Sequence, residues 1–184
     1  MVCETEDDAR CLHHAVADLK ELDLLHNPRN LRIDVVETPR GDNGYTVIPY
    51  SHKINWALDQ TQADLIVYLD NGSMPGPDKY RAMAVALEQN PGWGAVYCGQ
   101  QRTGMNDNIY PALEVVDDAY CALNYTQVMH RKTGDRWPTD MTLADPDLAD
   151  ATFWRKLHAS LGPFYPVDGL HDWHHIDGPK AQGL

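Results

Sequence analysis

The sequence lacks an apolar run of the roughly 20 residues needed to span a bilayer, and its acidic first eight residues lack the apolar core of a secretory signal. We therefore expect a cytoplasmic protein with no membrane partner. Internal repeats and low-complexity linkers are also absent from the 184 residues, a length that suits one well-cored domain. The sequence thus predicts a single domain over 1–184, ending in a histidine-rich tail at about 169–184.

Paired cysteines and positive charge are scarce as well. The four cysteines are scattered and form no CxxC pair, which indicates free thiols in a reducing compartment and not a structural zinc site. Lys and Arg number 15 against 27 Asp and Glu, giving a formal net charge of −12. This balance argues against a broad nucleic-acid-binding surface but leaves room for a small local basic groove.

Helix and strand patterns alternate along the chain, which predicts an α/β fold. The patterns predict helices at 7–25, 51–61, 77–89 and 148–161. They predict strands at 31–36, 65–69 and 93–98, an extended segment at 118–129, and a loop at 38–50. The beginning is unusual for such a fold, because only Met1, Val2 and Cys3 precede the first helix as a possible strand.

The strand predicted at 65–69 ends abruptly at Asp70, and a short polar turn and a proline-opened helix follow. Sheets of α/β proteins bind their ligands at the carboxyl edge of the strands. A carboxylate there suits a hard cation that bridges phosphate oxygens. A strand-end Asp can equally form a turn or cap the next helix, so Asp70 alone leaves both interpretations open.

Two further blocks of sequence accompany Asp70. The first has Asn55, Ala57 and Leu58 on a helix before the strand that ends in Asp70. The second places Asp150, 80 residues after Asp70, at the start of a helix that carries a Trp and an Arg. Together these blocks resemble the family-2 glycosyltransferases of the GT-A fold, in which the second block matches the Glu-Asp motif. The resemblance implies a single-domain GT-A (Rossmann-like) fold with a mixed, mostly parallel central sheet flanked by helices.

The same resemblance implies a metal-dependent, inverting glycosyltransferase that moves a sugar from a nucleotide-sugar donor to a hydroxyl acceptor. Asp150 would be the catalytic base, and a divalent cation (Mn²⁺ or Mg²⁺) at Asp70 would neutralise the leaving phosphates. A helix N-terminal Asp is also stabilised by the helix dipole alone. The small size resembles phage or bacterial enzymes, so a hydroxymethylated base of phage DNA is one possible acceptor, beside a glycan, a small molecule or a protein.

The resemblance also suggests which residues bind the donor. It places Thr5 and Glu37 at the ends of the first two strands, near the base and ribose, with Asn55 and Asp70 further along the chain. Arg131 follows a segment like the core strand of the family and is the candidate phosphate partner. Glu37 also suits a surface turn.

The metal motif departs from the family pattern, because Gly72 occupies the position of the second Asp. A single carboxylate is a weak site for Mg²⁺ or Mn²⁺. His174 and His175 in the tail are the candidate additional ligands, and a solvated tail is the alternative. Two further functions remain open: a zinc-dependent hydrolase built on the C-terminal histidines (His171, His174 and His175), although no HExxH pattern is present, and an inactive module that binds nucleotide sugar.

Overall fold

The computed structural model describes residues 2–3, 34–35, 47–69, 73–76, 78–103, 109–110, 123–141 and 149–175. Side chains are described within 51–69, 75–76, 78–101, 123–141 and 149–169. The predicted helix at 7–25 and the predicted donor residues Thr5, Glu37 and Asp70 lie outside the described residues. The chain divides into two compact units, and the single domain remains a prediction. Unit 1 comprises Met1–Gln62 and Arg136–Ala149, and unit 2 comprises Ala63–Asp135 and Asp150–Leu184.

The described residues of unit 1 form a short parallel strand pair and one long helix. Strand β1 (Val2–Cys3) pairs with β2 (Asp34–Val35), which lies inside the strand predicted at 31–36. Helix α1 (Val47–Gln60) contacts β1. It begins four residues before the predicted helix and includes part of the predicted loop at 38–50. Pro49 is compatible with this start, because the first turn of a helix does not use its backbone N–H groups.

In unit 2, the described residues form a six-stranded sheet and two α-helices. The strands are β3 (Leu65–Val67), β4 (Ser73–Pro75), β5 (Ala95–Thr103), β6 (Ile109–Tyr110), β7 (Val128–Arg131) and β8 (Phe164–His175). Their order in the sheet is β3-β7-β5-β8-β4. The short strand β6 stands outside this order and pairs with β5. Helix α2 (Lys79–Gln89) follows β4, and α3 (Ala149–Leu161) precedes β8, its first residue being assigned to unit 1.

The mixed α/β fold is confirmed, but the expected excess of parallel pairing does not hold for the described ladders. Only β1–β2 and β5–β8 are parallel, while β3–β7, β5–β7, β4–β8 and β5–β6 are antiparallel. The reason is the position of β7 between β3 and β5. Because β7 runs opposite to both neighbours, it introduces two antiparallel ladders between strands that themselves run in the same direction.

The segment predicted as a histidine-rich tail begins inside a strand, because β8 continues to His175. Its backbone is paired on one side with β5 and on the other with β4, which satisfies the polar groups of the strand. The register shifts at Cys98–Gly99 and Gly99–Gln100, and Gly169 has a φ of 91°. These bulges separate a first half of the β5–β8 pair (Ala95–Cys98 with Phe164–Val167) from a second half (Gln100–Thr103 with Asp172–His175).

The segment predicted as extended at 118–129 is also different in the described part. A 3₁₀ turn covers Tyr125–Gln127 before β7 begins. Asn124 caps the turn: its Oδ1 accepts from the Thr126 N–H at 3.0 Å, and its own N–H donates to Gln127 Oε1 at 2.9 Å. This reciprocal capping favours the turn over a continuous strand.

The core of unit 2 lies between α2 and the first half of β5–β8. Met83 and Leu87 are one helical turn apart on α2 and pack with Val96, Cys98 and Met129. All five are buried, and Cys98 is a free thiol. Each fully buried apolar side chain of this size contributes roughly 1.5–3 kcal/mol. The core therefore holds α2 and the strands that lead toward the predicted site in place.

Candidate functional site

Asp150 is the second residue of α3, as the predicted helix at 148–161 requires. Its side chain is half-buried, and Oδ1 accepts a hydrogen bond from the Ala151 N–H at 2.9 Å. The first N–H groups of a helix have no partner within the helix, and negative charge is favourable at that end. The start of α3 therefore holds a carboxylate that remains partly accessible.

The first turns of α3 contribute two side chains to an aromatic cluster. The cluster consists of Tyr68, Tyr125, His130, Phe153, Trp154 and Phe164. Phe153 and Trp154 follow Asp150 by three and four residues, and Tyr68 precedes Asp70 by two. The Tyr68 ring lies 6.4 Å from Phe153 and 6.2 Å from Trp154, and Trp154 Nε1 donates to the Leu123 carbonyl at 3.2 Å. These contacts link the helix that carries Asp150 to the strand that leads to Asp70.

His130, on β7, is the one histidine of this cluster, and no local sequence pattern distinguishes it from its neighbours. Its Nδ1 lies 2.8 Å from the Arg131 carbonyl oxygen, which can only accept, so Nδ1 carries the proton. Nε2 then accepts from the Tyr68 hydroxyl at 2.9 Å. Burial lowers the pKa of His130 from 6.5 to about 4, although the Arg131 hydrogen bond and Asp135 oppose the shift. His130 is therefore neutral at pH 7 and serves as a structural acceptor.

A second buried polar group is Lys79, the first residue of α2. The side chain is fully buried, and Nζ donates to the Thr126 carbonyl at 2.7 Å. Gln100 Nε2 donates to Thr126 Oγ1 at 3.2 Å, and Gln127 Nε2 donates to the Cys98 carbonyl at 2.8 Å. The network joins the start of α2 to β5 and to the 3₁₀ turn. Nothing in the local pattern around Lys79 distinguishes it from a surface lysine.

In unit 1, the amide of Asn55 pairs with the backbone of Trp137. Oδ1 accepts from the Trp137 N–H at 2.8 Å, and Nδ2 donates to the Trp137 carbonyl at 2.9 Å. The neighbouring Arg136 donates from Nε to Asp59 Oδ1 at 3.0 Å. Asn55 thus holds the segment at 136–137 on α1 through both ends of its amide. These contacts do not test its predicted role in donor binding.

Arg131, predicted to contact phosphate, donates to two backbone carbonyls of unit 2. Its Nε lies 3.0 Å from the Trp93 oxygen, and its Nη2 lies 2.8 Å from the Leu87 oxygen. Leu87 is in the last turn of α2, where carbonyls lack partners within the helix. The side chain therefore caps α2, and its predicted phosphate role stays a prediction.

The predicted metal ligands fall where side chains are not described, but the backbone places two of them. His174 pairs with Ser73 of β4 on one side and with Arg102 of β5 on the other, and His175 pairs with Thr103. Within the described side chains, no group of three or more His, Cys, Asp or Glu residues is arranged to hold a metal. Asp70, His174 and His175 lie outside the described side chains, so the metal site stays a prediction.

No protein-family model matches the sequence. The fold is similar to crystal structures of S. aureus TarS, a GT-A-type glycosyltransferase. TarS 1–349 is 13% identical with a TM-score of 0.59, and the match covers 85% of this chain and 47% of that chain. A second TarS structure is 14% identical with a TM-score of 0.60, covering 86% of this chain and 28% of that one.

The chain thus spans less than half the length of the TarS structures that it matches. Across the described part of this chain, no helix has the length and apolar character needed to cross a bilayer. At this level of identity the comparison establishes the GT-A glycosyltransferase fold, and the fold alone.

Proposed function

We propose that this protein transfers a sugar from a nucleotide-sugar donor to a hydroxyl acceptor. The observation that carries the proposal is the likeness of 85% of the chain to a GT-A glycosyltransferase fold, in which Asp150 occupies the first turn of a helix. The acceptor class, including a hydroxymethylated base of DNA, and the inverting outcome are parts of the proposal.

In the proposed reaction, Asp150 accepts the proton of the acceptor hydroxyl as its oxygen attacks the anomeric carbon. The bond from that carbon to the donor phosphate breaks, and the nucleoside diphosphate leaves with the bonding electrons. Because one base acts and no enzyme nucleophile intervenes, the anomeric configuration inverts. The half-buried position of Asp150 supports this role, since a base must reach the acceptor while its own orientation is held.

A divalent cation at Asp70 is also proposed, with a tail histidine as a further ligand. Carboxylate oxygen and imidazole nitrogen are a suitable donor set for Mn²⁺. The cation would neutralise the charge that develops on the leaving diphosphate. His174 and His175 are consecutive on β8, and consecutive strand positions belong to opposite faces of a sheet. We therefore expect only one of the two to share a cation with Asp70.

The first test is a thermal-shift panel of nucleoside diphosphates and nucleotide sugars, with and without Mn²⁺, followed by turnover assays on hydroxyl acceptors. A ligand that binds only the folded state raises its melting temperature. The Asp150→Asn variant is expected to keep donor affinity and to lose about 10²–10⁴-fold in transfer rate, the usual contribution of a general base. Asp64→Asn, at an exposed position of the same unit, is the matched control and should keep the wild-type rate.

Each outcome separates the proposal from its alternatives. Wild-type turnover in Asp150→Asn would overturn the assignment of the base. Donor binding without transfer or donor hydrolysis in the wild type would indicate an inactive binding module. Stoichiometric zinc that survives dialysis, together with hydrolysis and no transfer, would indicate the zinc-dependent hydrolase.

A further inference from the structure

The second half of the β5–β8 pair places two basic residues side by side. Arg102 of β5 is the register partner of His174 of β8, and His174 is in turn the partner of Ser73 on β4. Directly paired positions on neighbouring strands lie on the same face of a sheet. Ser73, His174 and Arg102 therefore form one row across three adjacent strands, which we call the basic row.

The basic row follows the predicted cation-binding segment directly along the chain. Asp70, Asn71 and Gly72 lead into β4, whose first residue is Ser73. The covalent chain thus connects Asp70 to a strand that is hydrogen-bonded beside His174. Arg102 is one further strand away in the same row.

The positive charge of the basic row suits an anionic ligand. A nucleoside diphosphate is strongly anionic, and the chain carries a formal net charge of −12. With Gly72 in place of a second carboxylate, a cation would bind weakly, and a fixed positive charge would then help to hold the diphosphate. Arg131 already donates to the Leu87 and Trp93 carbonyls. We propose that Arg102 is a binding residue for the donor diphosphate, beside His174 in the basic row.

This inference rests on the proposed function and adds a residue that the resemblance did not suggest. A guanidinium suits the task because its planar N–H groups bind phosphate oxygens in pairs and it is always protonated. An arginine on a paired strand is also held at a defined backbone position, which limits the entropy lost on binding.

The test measures binding of uridine, guanosine, adenosine, cytidine and thymidine diphosphates by calorimetry, then repeats the tightest with its nucleoside, its monophosphate and inorganic pyrophosphate. Arg102→Gln is expected to weaken diphosphate binding by about tenfold or more, as for loss of charged hydrogen bonds, and to leave nucleoside binding unchanged. Arg102→Lys should be intermediate, because it keeps the charge and loses the paired geometry. Arg81→Gln, exposed on α2, is the matched control and should bind within about twofold of the wild type.

The outcomes distinguish this inference from the function on which it rests. If no diphosphate binds the wild type, the proposed function and the inference both fail. If the wild type binds and Arg102→Gln binds equally well, only the inference fails. Equal weakening by Arg81→Gln, or of the nucleoside, would also overturn it, because the effect would then not be local to the diphosphate. If circular dichroism shows that Arg102→Gln does not fold, wild-type affinity in Arg102→Lys would overturn the inference.

Discussion

The two halves of the β5–β8 pair use the same parallel backbone pairing for different purposes. In the first half, Ala95–Cys98 are completely buried, and Val96 and Cys98 pack with the core residues of α2. In the second half, beyond the bulges, the sequence becomes Gln-Gln-Arg-Thr on β5 and Asp-Trp-His-His on β8. The first half forms part of the buried core, and the second half carries mostly polar and charged residues.

The bulges at Cys98–Gly99 and Gly99–Gln100 separate the two halves. Extra residues in a strand bend it and change its twist, and they occur frequently beside functional sites. Here the bulges lie within one continuous pair of strands. The pair therefore runs from the buried core to the basic row without an intervening loop. We therefore expect changes around the first half to alter stability, and changes in the second half to alter donor binding.

The largest effect on stability is expected from pH, through His130 beside the first half. Its folded-state pKa of about 4 lies below the ordinary 6.5, so the unfolded chain takes up a proton first as the pH falls. The contribution of neutral His130 is complete above pH 6.5, decreases between 6.5 and 4, and is constant below 4. The loss reaches about 3 kcal/mol.

Urea unfolding of the wild type and of His130→Gln between pH 7 and pH 4 measures this contribution. The variant keeps a polar side chain and removes the titrating ring, so the difference between the two pH profiles isolates His130. Parallel profiles would contradict the prediction. Donor affinity at pH 7 should be similar in both proteins, as the comparison of the two halves requires.

A smaller effect is expected for Arg131→Gln, which contrasts directly with Arg102→Gln. Removal of the guanidinium leaves the Leu87 and Trp93 carbonyls without this donor and should cost about 1–3 kcal/mol of unfolding free energy. Lys132→Gln, at the exposed neighbouring position, should change stability by less than about 0.5 kcal/mol. Denaturant unfolding and diphosphate calorimetry are measured together. Unchanged stability with weakened binding would instead support the phosphate role for Arg131.

The smallest effect is expected for Asn55 in unit 1. Asn55→Ala removes both hydrogen bonds to the Trp137 backbone, at a cost of about 1–2 kcal/mol, and should accelerate hydrogen exchange of the Trp137 amide. Asn55→Asp keeps the acceptor for that amide and should retain most of its protection. If Asn55→Ala left exchange unchanged and weakened donor binding, the predicted binding role would be favoured over the structural one.

Local sequence patterns predicted the helices and short strands well where the signal is itself local. The helix that begins near Asp150 and the strand before Asp70 appear where apolar periodicity placed them. Their caps, periodicity and proline signals act within a few residues of the chain. The mixed α/β class also follows from the alternation of these elements.

Tertiary structure decided what depends on partners far away in the chain. Residues 169–175 have the composition of a polar tail, yet they belong to a strand because β5, about 70 residues earlier, and β4 satisfy its backbone. Lys79 and His130 are polar residues that become buried only because Thr126 and Tyr68 are brought to them. Periodicity cannot reveal such contacts, since burial of a polar group is favourable only when the fold supplies its hydrogen-bond partner.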